Sequence, residues 1–288
     1  MTTGRRPDGR RCDPCYRAAV DSTAASDAFR PIDAPESGPL EAAWLGRADY
    51  RAVWALQKEL AAERAAGRIG DRLLLVEHPA VLTLGRQADE SHVRATPAEL
   101  AGRGIELLRV ERGGEVTYHG PGQLVAYPII ALSRRGLLLR PLVRALEAAM
   151  VATCAASGVA AARRDDHPGC WIAPDGPAPR KIGALGLRVE RGVTYHGIAL
   201  NIDPDLRDLE LIDPCGMPEV ISTSIAREAG RPDEPPSTAA VGAAASVFAR
   251  VFAAAIAVTL TGYGSALPDS PDRAVTLSPG VADLAAVR

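Results

Sequence analysis

The sequence predicts an α+β fold, in which helices flank a mixed or antiparallel sheet. Short apolar strands in 106–132 and 170–201 are separated by Gly-rich and Pro-rich turns and do not alternate regularly with helices. Three longer segments, 48–66, 140–158 and 238–260, carry apolar residues at helical spacing. We therefore expect one folded domain with tails.

Composition bounds the class of protein. The chain has 288 residues, and 33 basic against 35 acidic side chains give a formal net charge of −2. General nucleic-acid or membrane-surface binders usually carry a basic excess, so this balance argues against both. We find no run near the roughly 18 apolar residues of a membrane span, and no apolar signal-peptide core at the N-terminus. Five cysteines without a paired framework suit a reducing compartment, so we expect a cytoplasmic protein.

The chain divides into three predicted parts. Residues 1–38 are a predicted disordered extension, 39–264 the folded domain and 265–288 a loose tail. The extension is rich in Arg, Asp, Pro, Gly and Ala and has no hydrophobic period. It contains Cys12 and Cys15 in CxxC spacing, but a structural zinc site needs a second ligand pair and none follows nearby. We therefore predict no metal site.

The elements follow from local pattern. Segment 48–66 is a predicted amphipathic helix, and 71–86 is predicted to be a strand, a His-Pro turn and a second strand in a hairpin-like unit. His78 is expected to be a structural residue at that corner. Segment 96–104 begins with a Thr and has Glu three residues later, which predicts a capped short helix. The last helix should pack through Val247, Phe248, Val251 and Phe252.

A glycine-rich block at 106–132 carries the first candidate site. It predicts three strands, interrupted by Gly113-Gly114 and by a Gly-Pro-Gly turn at 120–122, where backbone can approach a ligand closely. The pentapeptide VTYHG at 116–120 recurs at 193–197. The repeat suggests that His119 and His196 lie on related edges of one pocket, although each histidine could equally be structural.

Lys181 and Cys215 are the candidate reactive pair. The chain has only two lysines, Lys58 and Lys181, so arginine supplies most of its positive charge. An ammonium can exchange its proton near neutral pH when it is desolvated, and a guanidinium cannot. Cys215 lies between Pro214 and Gly216 in a predicted turn, where an adjacent ammonium would favour the reactive thiolate. The alternatives are a surface lysine at a strand start and a buried apolar cysteine, the second of which fits Cys154 better.

Four ordered motifs, RGGEVTYHGPGQL, KIGALG, VTYHGIALNI and IDPCG followed by TSI, resemble those of the bacterial lipoyl(octanoyl) transferase (LipB) family. The resemblance spans about residues 42–226. It implies an α+β catalytic domain like that of biotin protein ligase and lipoate ligases. The chain departs from the family pattern at Cys170, where a small aliphatic residue is more common, and in its N-terminal extension.

The resemblance also implies an activity. An octanoyl group would pass from acyl carrier protein to a specific lysine of a lipoyl domain, without ATP, metal or other cofactor. Cys215 would be the acyl-thioester nucleophile and Lys181 the residue that lowers its pKa. The acyl chain would be held by Arg112, Gly113, Gly114, Glu115, Val116, Thr117, Tyr118, His119, Ala184, Leu185, Gly186, Gly197, Ile198 and Ala199.

The expected partners are proteins. The donor would be octanoyl-acyl carrier protein, and the acceptors apo lipoyl domains of 2-oxoacid dehydrogenase E2 subunits and the glycine cleavage H protein; the enzyme is expected to be a monomer. Because carrier proteins are acidic, we expect a local basic docking surface. The candidates are Arg86, Arg134, Arg135 and Arg140.

Two other functions stay open on the sequence. An ATP-dependent lipoate or biotin-protein ligase on the same fold would activate a free acid and would need no cysteine, so the IDPCG motif argues against it. A noncatalytic module that binds acyl groups or lipoyl domains is disfavoured because Lys181 and Cys215 occur together.

Overall fold

The structure is a computed structural model that describes residues 20–22 and 36–261, apart from 166, 214–219 and 232–233. Only the backbone is described for 20–22. The described strands are β1 (Val20–Ser22), β2 (Leu40–Arg47), β3 (Asp71–Glu77), β4 (Val81–Leu84), β5 (Glu106–Arg109), β6 (Val116–His119), β7 (Gln123–Ile129), β8 (Cys170–Ile172), β9 (Arg180–Glu190), β10 (Val193–Asn201), β11 (Ile221–Ser222) and β12 (Leu260–Thr261). The described helices are α1 (Tyr50–Ala65), α2 (Pro97–Gly102), α3 (Leu132–Arg135), α4 (Leu139–Ala156), α5 (Leu206–Leu209), α6 (Ile225–Glu228) and α7 (Thr238–Ala255), with a 3-10 turn at Glu90–His92.

Two sheets organise the described part of the chain. The large, nine-stranded sheet has the order β1-β9-β10-β7-β3-β2-β12, and β8 and β11 also pair with β9. The small sheet has the order β5-β4-β6. Parallel and antiparallel pairs both occur, because β2 runs parallel to β3 and β7 antiparallel to it. The predicted α+β class with a mixed sheet and flanking helices is therefore confirmed.

Each sheet has its own apolar core. The helices α4 and α7 pack against each other, and their buried residues join those of the large sheet in one cluster. Helix α1 packs against β7 and β10. The second cluster lies on the small sheet and consists of Leu82, Leu84, Leu100, Ile105, Val116, Tyr118, Leu209 and Ile212. Because α5 contributes to this second cluster, the segment that precedes Cys215 is attached to the small sheet.

The helix starts follow the expected capping chemistry. The carboxylate of Asp49 accepts a hydrogen bond from the backbone N–H of Ala52 at 2.9 Å, which fixes the start of α1. At α2, Glu99 N–H donates to Thr96 Oγ1 at 3.2 Å and Thr96 N–H donates to Glu99 Oε2 at 2.7 Å. The predicted cap at 96–104 is thus confirmed as a reciprocal capping box.

The predicted hairpin at 71–86 is wrong. Strand β3 belongs to the large sheet and pairs with β2 and β7, whereas β4 belongs to the small sheet and pairs with β5 and β6. Both strands are buried, so each finds partners on another segment instead of folding back on its neighbour. His78 turns the chain between the sheets, with Nδ1 2.7 Å from the carbonyl oxygen of Ala48 and Nε2 2.9 Å from Tyr127 Oη. Its predicted role as a structural corner residue is confirmed.

Helix α7 corrects a second expectation. It has 18 residues and a mean hydropathy of 1.6, so by length and composition alone it could cross a membrane, contrary to our reading of the sequence. In the structure its face with Val241, Phe248 and Phe252 is fully buried. Packing on the protein core therefore accounts for its apolar composition.

A network of charges ties the start of the domain to α1 and α3. Asp71, at 1% exposure, receives hydrogen bonds from Arg64 and Arg135, and Arg64 and Arg134 both pair with Glu36. Val20–Ser22, inside the predicted extension, run parallel to β9. Since Arg135 holds a buried carboxylate, it braces the fold and is not a candidate for docking a carrier protein.

Candidate active site

Lys181 lies where three strands meet. It is the second residue of β9, and Trp171 of β8 and Ser222 of β11 are its partners in the two ladders. The carbonyl oxygen of Lys181 accepts a hydrogen bond from the N–H of Thr223 at 2.9 Å. Only 6% of Lys181 is exposed. The sheet therefore fixes the backbone of Lys181 from both sides and keeps most of its side chain from water.

An open cleft lies between the two sheets beside Lys181, and the roughly 400 Å³ of empty space at it includes open solvent. Its lining residues are Val116, Thr117, Gln123, Lys181, Gly183, Ala184, Ala199, Asn201, Leu209, Ile212 and Ser222. Lys181 is the only one of these described residues that can carry a charge. Most of the other lining side chains are apolar or small, so the cleft suits an apolar ligand that presents a polar group to Lys181.

Five of the predicted site residues line this cleft. They are Val116 and Thr117 of the small sheet and Lys181, Ala184 and Ala199 of the large one. The predicted residues Arg112, Gly113, Gly114, Glu115, Tyr118, His119, Leu185, Gly186, Gly197 and Ile198 are not among the described lining residues, and their binding roles stay predictions. The two stretches 112–119 and 184–199 nevertheless meet across the sheets, because Gly113 N–H donates to the carbonyl oxygen of Leu187.

Arg112 braces that meeting point. It is 6% exposed, and its guanidinium donates to the carbonyl oxygen of Thr83 at 2.6 Å and to the carbonyl oxygen of Gly113 at 3.1 Å. A Cβ on Gly186 would lie 2.7 Å from the Gly113 carbonyl oxygen and 3.4 Å from Arg112 Cδ. Glycine is therefore required at 186 for the close approach of the two segments. Arg112 positions the glycine-rich block through these backbone contacts.

A chain of amides connects the buried histidine to the cleft. His119 Nδ1 lies 2.8 Å from Gln123 Oε1, and Gln123 Nε2 donates to Asn201 Oδ1 at 2.9 Å. Asn201 Nδ2 in turn donates to the carbonyl oxygen of Thr223 at 2.9 Å. Because Thr223 also bonds to Lys181, this chain links the small sheet to the strand that carries the lysine.

The three histidines near the sheets are kept neutral by burial. Burial lowers the pKa of His78 to about 4, and it lowers the pKa of His119 well below the usual value. Burial also lowers the pKa of His196, and Glu111 opposes that shift. None of the three is among the described residues that line the cleft. Their environment therefore supports structural roles for all three.

Cys215 lies outside the described residues, but both flanks of segment 214–219 adjoin the cleft. Before it, Asp213 N–H donates to the carbonyl oxygen of His92 at 2.8 Å, and the carboxylate of Asp213 pairs with Arg94. After it, Ser222 pairs with Lys181 in the β9–β11 ladder. Ile212 and Ser222 both line the cleft.

Six lining residues were not predicted from the sequence: Gln123, Gly183, Asn201, Leu209, Ile212 and Ser222. Gln123 carried a usable signal, since it is a polar residue at the start of an otherwise apolar strand, and Asn201 is the polar residue that ends the buried strand β10. Leu209 and Ile212 had none, because only the packing of 206–212 on the small sheet brings them to the cleft. Across the described residues, no group of three or more His, Cys, Asp and Glu could hold a metal ion.

Comparison with solved structures places the fold. Lipoate-protein ligase A bound with ATP matches with a TM-score of 0.59 at 16% identity, covering 87% of this chain and 93% of the other. The bipartite lipoate protein ligase from Thermoplasma acidophilum, solved in a study that includes its E2 lipoyl domain, matches with a TM-score of 0.56 at 15% identity, covering 87% and 91%. At these identities the likeness shows the fold alone. The predicted lipoate ligase-like domain is therefore confirmed.

Comparison with protein sequences is more specific. Residues 49–245 match the lipoyl protein ligase A/B catalytic domain. An octanoyltransferase from Chloroflexus aggregans is 49% identical over 188 residues, covering 65% of this chain and 84% of the relative. One from Acidobacterium capsulatum is 44% identical over 235 residues, covering 78% and 94%. The chain therefore belongs to the lipoyl protein ligase A/B catalytic-domain family and, within it, to the octanoyltransferases, the acyltransferases of protein lipoylation.

Proposed function

We propose that this enzyme moves an octanoyl group from octanoyl-acyl carrier protein to a specific lysine of a lipoyl domain through a thioester on Cys215. The observation that carries the proposal is the position of Lys181. It is the one ionisable side chain among the described residues of the cleft, and Ile212 and Ser222, which lie on either side of segment 214–219, line the same cleft. A thiol next to an ammonium ion is the arrangement that produces a nucleophilic thiolate at neutral pH.

The reaction has two steps. The Cys215 thiol gives its proton to Lys181 or an adjacent base, and the thiolate attacks the octanoyl thioester carbonyl, which releases the carrier thiol after it takes up a proton. The amine of the acceptor lysine then attacks the new thioester, forms the amide and returns the Cys215 thiol. Thioester exchange is nearly balanced in energy and the amide is more stable than either thioester, so ATP is not needed. Covalent catalysis thus replaces one difficult transfer by two easier ones.

The cleft supplies the acyl site in this proposal. The octanoyl chain would lie along the small and apolar residues Ala184, Ala199, Leu209 and Ile212, with its carbonyl carbon toward Lys181. The glycine-rich block 112–119 would close the other side. Burial of the chain in this cleft is favoured by the hydrophobic effect, at about 0.8 kcal/mol per buried CH₂.

Acyl carrier protein is the proposed donor, and lipoyl domains of 2-oxoacid dehydrogenase E2 subunits and the glycine cleavage H protein are the proposed acceptors, in the cytoplasm. Arg86, Arg134 and Arg140 stay docking candidates, and Arg86 is the one that we test. It is exposed and follows Gly85, where β4 meets the glycine-rich block. Arg86→Glu should raise the KM for octanoyl-acyl carrier protein and leave turnover of a small octanoyl thioester unchanged. Equal loss with both donors would assign Arg86 to the fold or active site instead.

The central experiment incubates the enzyme with octanoyl-acyl carrier protein and apo lipoyl domain, with and without ATP. The wild type should octanoylate the domain at the same rate in both, and intact-protein mass spectrometry should detect an octanoyl adduct that peptide mapping assigns to Cys215. Cys215→Ala should abolish the adduct and the transfer. An adduct that persists in Cys215→Ala, or transfer that requires ATP and free octanoate, would contradict the proposal.

Lys181→Arg is the companion variant. Arginine keeps the positive charge but does not exchange its proton, so transfer should fall by at least about a hundredfold. Lys58→Arg is the matched control, because Lys58 is the other lysine of the chain and lies on the surface of α1. If both variants were equally active, proton exchange at Lys181 would not be part of the mechanism.

A further inference from the structure

Trp171 is a buried aromatic residue that contacts the proposed catalytic lysine. It is 0% exposed and lies opposite Lys181 in the β8–β9 ladder, and Nζ of Lys181 is 5.2 Å from the centroid of its ring. The indole Nε1–H donates to the carbonyl oxygen of His167 at 2.9 Å. Strand pairing fixes the backbone and this hydrogen bond fixes the ring, so Trp171 presents a rigid surface to the ammonium.

The stem of Lys181 is held from another side. A Cβ on Gly169 would lie 3.3 Å from Lys181 Cε and 2.5 Å from the carbonyl oxygen of Gly183. Gly169 also has φ +136°, which favours glycine. The loop before β8 therefore approaches the lysine stem closely and restricts the positions that Nζ can reach.

The charged and titratable groups on the segments beside Trp171 and Lys181 are Arg164, His167, Glu147 and Glu228. Arg164 lies over the same ring, with its guanidinium carbon 5.1 Å from the centroid. Glu147 of α4 accepts from Gly169 N–H at 3.2 Å and pairs with Arg144, and Glu228 of α6 pairs with Arg180. Both carboxylates have arginine partners, and the face of the Trp171 ring contacts the Lys181 ammonium directly.

Both lysines of the chain lie over a tryptophan, which provides an internal comparison. Lys58 Nζ is 4.2 Å from the centroid of Trp54, but the Lys58 side chain is 47% exposed. Lys181 is 6% exposed. A cation–π contact is worth more when the cation is desolvated, so the longer contact at Trp171 should have the larger effect.

We propose that Trp171 is a positioning residue whose ring holds the Lys181 ammonium at the cleft and favours its charged form. The role of Trp171 in catalysis rests on the proposed acyl transfer, whereas its contact with Lys181 does not depend on that proposal. In the mechanism, a held ammonium keeps the adjacent thiolate available. Loss of the ring should therefore make the thiolate form at higher pH and the ammonium lose its proton at lower pH.

The direct test is competitive trace labelling of the two lysines with acetic anhydride across pH, read out by peptide mass spectrometry. Trp171→Leu should lower the midpoint of Lys181 labelling by about 0.5 to 1.5 pH units and leave Lys58 unchanged. Trp54→Leu should lower the midpoint of Lys58 labelling by a smaller amount and leave the midpoint of Lys181 labelling unchanged. No shift of Lys181 in a folded Trp171→Leu protein would overturn the proposal.

Substitution of a fully buried tryptophan could prevent folding, so a second measurement keeps the shape of the ring. Incorporation of mono- and difluorinated tryptophan at the three tryptophans withdraws electron density from each ring with little change in volume. The midpoint of Lys181 labelling should fall stepwise with the number of fluorines. A midpoint that does not depend on fluorination would overturn the proposal even if Trp171→Leu does not fold.

The activity measurement separates this inference from the proposed function. With octanoyl-acyl carrier protein as donor, Trp171→Leu should narrow the bell-shaped pH profile of acyl-enzyme formation from both sides, and Trp54→Leu should not. If Trp171→Leu lowers the rate but leaves both limbs of the pH profile at the same pH, Trp171 has only a structural role. If the wild type forms no octanoyl adduct, the proposed transfer fails, and the labelling experiment still decides whether Trp171 controls Lys181.

Discussion

The pentapeptide Val-Thr-Tyr-His-Gly occurs at 116–120 and at 193–197, and the two copies have different surroundings. The first forms β6, which pairs with β4 in the small sheet, and it ends at the Gly120 turn. The second starts β10, which pairs with β9 and then with β7 inside the large sheet. The histidines also differ, since His196 has φ +54° and His119 does not adopt positive φ. Identical residues thus take their roles from their neighbours.

Both histidines join one buried group of rings. His119 stacks on Tyr50 with centroids 5.7 Å apart, and His196 meets Tyr127 edge to face at 6.4 Å. His78 contacts both His119 and Tyr127. The hypothesis that the two histidines edge one ligand pocket finds no support in the described cleft, because neither histidine lines it. The two histidines are linked instead through the rings of His78 and Tyr127.

The glycines should separate the copies most strongly. A Cβ on Gly197 would lie 1.9 Å from the carbonyl oxygen of Ala126 in the paired strand β7, whereas a Cβ on Gly120 would lie 2.0 Å from Tyr118 Oη, the end of a side chain. Gly197→Ala should therefore cost more than about 3 kcal/mol of unfolding free energy, and Gly120→Ala about 1–3 kcal/mol. Urea denaturation of both variants measures the difference, and equal losses would contradict the contrast.

The histidines should differ in how they make stability depend on pH. For a histidine with a lowered pKa in the folded state, the unfolded chain takes up the proton first, so stability is lost as pH falls below about 6.5. For His78, with a pKa of about 4, the loss reaches about 3 kcal/mol by pH 4. Urea denaturation from pH 7 to pH 4 should detect this decline in the wild type.

Asparagine variants distinguish the contributions of His119 and His196 to this pH dependence. Asparagine is suitable because its side-chain amide can replace the ring Nδ1 and because the residue tolerates positive φ. His119→Asn should flatten the decline with falling pH more than His196→Asn, since Glu111 lies 3.7 Å from His196 and favours its protonated form. A decline that is flattened equally by both variants, or that is unchanged by either, would show that these environments do not differ as described.

Substitution of the tyrosines should cost an amount of unfolding free energy between those of the glycine and the threonine substitutions. Tyr118 Oη donates to Asp208 Oδ2 at 2.8 Å and ties α5 to the small sheet, whereas the Tyr195 hydroxyl donates to Glu190 at 3.2 Å near the surface. Tyr118→Phe should cost about 1.5–3 kcal/mol and Tyr195→Phe about 0.5–1.5 kcal/mol. Because α5 carries Leu209 to the cleft, Tyr118→Phe should also raise the KM for the octanoyl donor. An unchanged KM would separate α5 from the acyl site.

The threonines should give the smallest effects. Thr194 Oγ1 donates to the carbonyl oxygen of Pro128 at 2.7 Å and accepts from Ile130 N–H at 3.1 Å, whereas Thr117 lines the cleft. Thr194→Val should cost about 1–2 kcal/mol with unchanged kinetics. Thr117→Val should leave the melting temperature within about 2 °C and alter only the KM for the donor. A change in the KM for the donor with Thr194→Val, or a loss of stability with Thr117→Val, would contradict this comparison.

Part of the site could be predicted because its residue types are unusual in this chain. A lysine in an arginine-rich sequence and glycines in otherwise apolar strands led to Lys181 and to the glycine-rich block. Ser222 was missed because the pairing of β11 with β9 brings it to Lys181, and no local pattern records that pairing. Arg135 was assigned to docking because its burial against Asp71 is equally invisible in the sequence.

The sequence by itself determined the fold class, the main helices, the capping box at Thr96 and the enzyme family, since local periodicity, capping chemistry and ordered motifs are written in adjacent residues. Only the tertiary structure decided that β3 and β4 belong to different sheets, that the two VTYHG copies face different partners, and that Trp171 lies against Lys181. These outcomes depend on burial and on hydrogen bonds between residues far apart in the chain. A buried strand has several possible partners of equal local quality, and the packing of the whole core selects among them.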